Sequence, residues 1–233
     1  GLFMSNCTAR AYTLNTARMR RVAEYSLHCL DTLRHETGIT FNDQQEGLIR
    51  VFRTYKQMEQ ARHTASLLSE AGIKHKFMTV EDILEYEPGL AHAAPLLVGG
   101  MRLAHEQSGD ASLFTRRLAR MAEAAGARFL YNTTIQGLDA STDRILSVRT
   151  SKGHLSADSY LLAMGSYSPG LLRSLNIRLP VYPIKAYSLS LPLTDESHAP
   201  VSMVEDVARN VTINRLGRHI PVYYNHLRAP QTG

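Results

Sequence analysis

The stretch SYLLAMGSYSPGLL, residues 159–172, leaves a chain few conformations to choose from. Apolar Tyr160, Leu161 and Leu162 predict a buried strand, and Ala163-Met164-Gly165-Ser166 a turn of small residues. Pro169 then predicts the first turn of a helix, where its fixed φ and missing N–H are tolerated. A strand that passes through a glycine turn into a helix lets main-chain N–H groups approach a bound group with no Cβ in the way. The bland alternative is a simple strand-to-helix connection.

The segments around this turn fall into three blocks. In residues 1–103, Thr16 or Asn15 can cap a helix whose apolar positions Met19, Val22, Ala23, Leu27, Leu30 and Leu33 form a stripe ending at Gly38. GLIRVF (47–52) alternates like a half-buried strand, 55–71 reads as a second helix closed by Gly72, and a short strand follows near Lys76–Met78. Thr79 caps a helix that Pro88 forbids to continue, and LLVGGMRL closes the block as a strand. In residues 104–178, Asp110 caps a helix carrying Leu113, Phe114, Leu118, Met121 and Ala122 on one face. A strand bending near Asn132–Thr134 and a hairpin around Ser151-Lys152-Gly153 lead back to the opening turn. Residues 179–233 are strand-rich and punctuated by proline, which suits an antiparallel sheet with an exposed edge.

Composition removes several function classes. The 44% of hydrophobic residues is enough for a real core in 233 residues. The net charge of +5 comes from 26 basic and 21 acidic residues spread along the whole chain, so no basic stripe points to nucleic acid as a partner. The ten histidines show no metal-ligand spacing, and no metal site is expected. Neither a nucleophile elbow nor a phosphate-binding Walker loop is present. Two cysteines, Cys7 and Cys29, make no disulfide framework, which fits a reducing compartment.

Several motifs in order then carry a resemblance: NCTARAYTLNTARMRRVAEYSLHCLDTLRHETGI, GLIRVFRT, GGMRL with SGDASLFTRRLARMAEAAGARF, AMGSYSPGLL, and LPVYPIKAYSLSLPL. Together, from about Asn6 to Leu216, they resemble the bacterial D-amino acid dehydrogenases (small flavoprotein subunit), within the wider D-amino acid oxidase and glycine oxidase family. The resemblance implies an α+β or α/β fold: a partial FAD-binding layer with an antiparallel-sheet substrate domain that carries helices on one face. It divides the chain into a substrate-domain segment (1–103), a partial FAD-binding domain (104–178), and return strands with a divergent tail (179–233).

It also implies FAD as cofactor, held by the Ala163, Met164, Gly165, Ser166 and Tyr167 turn and by Ile135, whose main chain would lie against the adenine. For Ile135 the alternative is a plain core residue. Arg50, Lys185 and Tyr187 become candidates for substrate contact, each with a bland reading as a solvent-facing strand residue. The implied activity is oxidative deamination of D-alanine-like D-amino acids to 2-oxo acids, with electrons passing to a quinone-linked acceptor. The implied location is cytoplasmic or peripheral on the inner face of the bacterial inner membrane. No side chain is singled out as catalytic, because an amino acid bound as its neutral amine needs no strong base.

Departures from the family pattern set a second expectation. The 233 residues contain no GxGxxG, the unit whose glycines and helix N-terminus hold a dinucleotide pyrophosphate. Ala186 stands where a glycine is expected, and residues after about Arg218 leave the pattern. A chain shortened at both ends would bind FAD weakly or not at all, would be catalytically silent, and would self-associate through exposed sheet edges.

Overall fold

The computed structural model describes residues 7–70 and 72–224. The first helix, α1, spans Ala9–Thr37 and ends at Gly38, whose φ of 63° is the left-handed conformation glycine reaches without strain. Its cap is Thr8, whose hydroxyl accepts from the Ala11 N–H at 3.2 Å; Asn15 and Thr16 are interior residues, not caps. Thr8 has the same capping chemistry, and no glycine or proline interrupts residues 9–37, so the helix extends to it. Of the apolar stripe, Met19, Val22, Ala23 and Leu27 remain exposed and only Leu30 and Leu33 are half-buried.

Strand β1 (Leu48–Phe52) leads to helix α2 (Tyr55–Glu70) and strand β2 (His75–Met78). The expected end of α2 at residue 71 falls outside the described residues. Helix α3 (Val80–Tyr86) starts with a reciprocal capping box: the Thr79 hydroxyl accepts from Asp82 N–H at 3.2 Å and the Asp82 carboxylate accepts from Thr79 N–H at 2.9 Å. Pro88 ends it and opens a 3₁₀ segment, Pro88–Leu96, before strand β3 (Gly99–Leu103). Helix α4 (Ala111–Ala124) is capped by Asp110 as its sequence predicts. Strands β4 (Ile135–Ala140), β5 (Ile145–Thr150) and β6 (Gly153–Leu155) make a small antiparallel sheet. Helix α5 (Ser168–Leu172) precedes β7 (Tyr187–Pro192), β8 (Met203–Asp206), β9 (Val211–Ile213) and β10 (His219–Tyr224).

Seven strands form one sheet in the order β2-β3-β1-β8-β9-β10-β7. The first and last thirds of the chain therefore share a sheet. They meet at β1 and β8, in register from Leu48 opposite Met203 to Val51 opposite Asp206. Two details go beyond the antiparallel sheet that the strand patterns suggest: this central pairing is parallel, and the β2-β3-β1 half carries helices on both faces. Met58 of α2 lies over Gly99 on one face, and Ile83 of α3 lies over Gly100 on the other. Ile49, Val51, Met78, Ile83, Leu97 and Val204 form the core on the α3 side.

One buried charge ties the two thirds together. Glu87, 1% exposed, accepts from Val201 N–H at 2.9 Å, from the Ser202 hydroxyl at 2.5 Å and from the Ser202 N–H. These bonds hold the 3₁₀ segment against the lead-in to β8 and supply the partners a buried carboxylate requires.

The strand predicted over residues 160–164 does not form. Residues 156–164 run without a ladder partner among the described residues, and Leu161 is 93% exposed. An apolar run becomes a strand only where another strand meets its N–H and C=O groups. Residues 127–131 are likewise outside the sheet; β4 begins only at Ile135, and Phe129 stacks on Tyr131 with ring centres 5.7 Å apart.

Candidate functional site

The turn at Gly165 is positioned from both sides. Upstream, the Tyr160 hydroxyl donates to the Leu146 carbonyl at 3.0 Å and accepts from Ala157 N–H at 2.9 Å, fastening the extended segment to β5. Gly165 takes a φ of 53°, and no atom stands within 4 Å of where its Cβ would be. A single 3₁₀ turn, Gly165–Tyr167, passes directly into α5, with Pro169 in the first turn and the Ser168 side chain buried. Downstream, a second 3₁₀ turn, Arg173–Leu175, stops at Asn176 in the left-handed conformation, with Ile177 N–H donating to the Leu172 carbonyl at 3.2 Å. Both α5 and this turn rest on β4, so Ile135, at the start of β4, and the Gly165 turn belong to one unit.

A groove of about 900 Å³ opens along the unit, lined among others by Ser166, Tyr167, Arg173, Arg178 and Tyr182. No acidic residue lines it, and neither arginine has a carboxylate partner among the described residues. Hydroxyls and guanidinium groups are the donors a diphosphate needs, and aromatic faces suit a flat ring system. The donor set therefore fits FAD. Tyr167, 77% exposed, presents its ring to the open side. Arg173, Arg178 and Tyr182 escaped the sequence reading because they lie on either side of a bend that only the fold closes.

Arg50 sits elsewhere, on the α2 side of the large sheet. Its Nε donates to the Glu205 carboxylate at 2.7 Å across the β1–β8 pairing; one residue along that pairing Asp206 binds Arg53 at 2.8 Å. Arg50, Gln57, Gln60, Thr64, Met101 and Glu205 line a pocket of about 240 Å³. Glu205 was invisible from sequence alone, since its partner lies 155 residues away.

Tyr187 lies on the opposite face. Directly paired residues share a face, and the register carries Arg50 through Glu205, Thr212 and Tyr223 to Ser188, the neighbour of Tyr187. Tyr187 is 74% exposed at the start of the edge strand β7, and Lys185 is exposed in the segment just before it. Arg50 and Tyr187 thus lie on opposite faces, Lys185 lies ahead of the strand, and the three substrate candidates do not form one cluster.

Among the described residues no three His, Cys, Asp or Glu side chains gather as metal ligands, and no helix is long and apolar enough to cross a membrane.

Comparison with known proteins places this geometry. The family model described as DAO, FAD dependent oxidoreductase, matches residues 1–222. The chain is 45% identical to a D-amino acid dehydrogenase of Granulibacter bethesdensis over 94% of its own length and 52% of the relative's. It is 44% identical to one from Agrobacterium fabrum over 93% of its length and 52% of the relative's. It thus spans about half the length of the curated relatives it matches. Among solved structures, L-proline dehydrogenase from P. horikoshii superposes with a TM-score of 0.74 at 18% identity, covering 91% of this chain and 57% of that one. Glycine oxidase from Bacillus cereus gives a TM-score of 0.72 at 20% identity, covering 88% and 55%. These two show a shared fold, and the family match together with the dehydrogenase identities shows that the chain belongs to the FAD-dependent oxidoreductases of the DAO family, whose cofactor is FAD.

Proposed function

We propose that this chain serves FAD-dependent oxidative deamination of D-amino acids, supplying the large sheet beside the substrate and one wall of the flavin site. The observation that carries this is identity above 40% to D-amino acid dehydrogenases along nearly the whole chain, with the arginine-lined groove at Gly165 as its structural counterpart. Residues 1–103 and 179–233 form the substrate-side unit in this reading, and 104–178 the cofactor-side unit.

Bound FAD would supply the hydride acceptor for the α-carbon of the substrate; the imino acid then hydrolyses to a 2-oxo acid. The protein's part is placement. The Ala163, Met164, Gly165, Ser166 and Tyr167 main chain approaches the cofactor, Ile135 backs its adenine end, and Arg173 and Arg178 neutralise diphosphate charge. Lys185 and Tyr187 are substrate contacts at the start of β7, and Arg50, its guanidinium already neutralised by the Glu205 carboxylate, shapes the opposite face from Tyr187. Such placement is demanding, because an error of about 1 Å can cost on the order of a hundredfold in rate. A quinone-linked acceptor completes the cycle.

The 233 residues contain no GxGxxG, so the chain by itself holds FAD weakly and turns over no substrate. The test is a chimera in which this chain replaces the matching half of the G. bethesdensis relative. Dye reduction with D-alanine, dependent on FAD, is expected; a folded, flavin-loaded chimera that oxidises no D-amino acid would overturn the proposal.

A further inference from the structure

Between helix α2 and the large sheet lies the pocket of about 240 Å³, which shares no lining residue with the groove at Gly165. Its shape follows from the strand register. Arg50 pairs directly with Met101 on β3 and with Glu205 on β8, so these three side chains stand in a row on the α2 face. Met101 and Phe52, both buried, make an apolar floor. Gln57, Gln60, Ala61 and Thr64 recur at helical spacing along one side of α2 and make the facing wall.

The charges in this pocket select what can enter it. The Arg50–Glu205 bond uses Nε of one residue and Oε2 of the other. Among the described residues, no further hydrogen bond is made by the Arg50 Nη groups or by Glu205 Oε1. A ligand with a single charge is attracted by one member of the pair and repelled by the other. A dipolar ligand set head to tail beside the pair gains from both: its carboxylate takes the Nη donors and its ammonium the free carboxylate oxygen. Gln57 accepts from Arg53 N–H at 3.0 Å and Thr54 N–H at 3.2 Å, which leaves its amide nitrogen as a further donor. The floor asks for an apolar side chain, and the volume equals that of about eight liquid waters, which a small amino acid fills.

We infer that this pocket binds a free amino acid with an apolar side chain, at a site separate from the flavin groove. Bound there, the ligand bridges α2, β1 and β8, and so ties the first and last thirds of the chain together. The inference uses the Arg50–Glu205 geometry and no property of the flavin, so either reading can fail alone.

Titration calorimetry of the chain with each enantiomer of leucine tests it. No FAD is added, so no amino acid is oxidised and the heat reports binding alone. Saturable binding of at least one enantiomer is expected. Isocaproate and isoamylamine, which each lack one of leucine's two charges, should bind at least roughly tenfold more weakly. Arg50→Gln should weaken leucine binding by a similar factor. Ala61→Leu, which fills the pocket from α2 and leaves the ion pair in place, should abolish it with an unchanged thermal melt. Failure of both enantiomers to bind overturns the inference. So does a singly charged analogue that binds as tightly as leucine, or leucine binding that survives either substitution.

Discussion

Glu87 shows how a single side chain fixes where two distant segments meet. Its buried carboxylate accepts from two main-chain N–H groups, of Val201 and Ser202, and from the Ser202 hydroxyl. Glu87→Ala would leave these donors without an acceptor, and we expect a loss of roughly 2–4 kcal/mol, read by urea denaturation. Gly165 acts on the other unit. Its left-handed φ makes any Cβ-bearing residue strained there, and in the proposed site that Cβ would stand between main chain and cofactor. Gly165→Val in the chimera should lower retained flavin, measured as visible absorbance per mole of protein after desalting, with far-ultraviolet circular dichroism unchanged. At this scale the sequence was partly legible. The small-residue turn announced Gly165 directly. Glu87 looked like any acid before a proline, because its donors come from more than 100 residues away.

Among the elements, the β4-β5-β6 sheet offers a clean titration. Asp139 accepts from the Ser147 hydroxyl at 2.6 Å and from Arg149 at 2.8 Å, and lies 3.1 Å from the His154 Nδ1. The Ser147 bond above all, then Arg149 and His154, holds the Asp139 carboxyl below the usual aspartate range. A depressed carboxyl stabilises the fold fully above the ordinary aspartate range and loses that contribution as pH falls through the lowered value. Thermal melts of the protein and of Asp139→Asn should therefore differ at neutral pH and converge in strong acid. A difference that grew on acidification would contradict the assignment. Element legibility followed local chemistry. Asp110 and Thr79 caps, the Pro88 stop and the 151–153 hairpin turn were all written in adjacent residues. The start of α1 was misplaced because Thr8, Asn15 and Thr16 are equally good caps in isolation. The strand at 160–164 was expected from its apolar run, but a strand needs a partner, and the sequence of the run itself cannot supply one.

The molecule as a whole combines a sheet closed by the first and last thirds of the chain with a hairpin unit inserted between them. Alternation identified most of the strands; it could not reveal that β1 and β8 pair in parallel, since neither residue run encodes its neighbour's direction. The same limit separated the site residues. Arg50 and Tyr187 both looked like substrate contacts from their strands, yet the register sends them to opposite faces. Ile135 and the Gly165 turn, by contrast, fall in one unit beside the arginine-lined groove. The proposed D-amino acid chemistry rests on that groove being a flavin wall. It is tested most directly by the first half-reaction alone: anaerobic addition of D-alanine to the flavin-loaded chimera, followed by visible absorbance. Bleaching of the flavin by D-alanine and not by L-alanine is the expected result, and a flavin that stays oxidised with D-alanine, or bleaches equally with both, would contradict it.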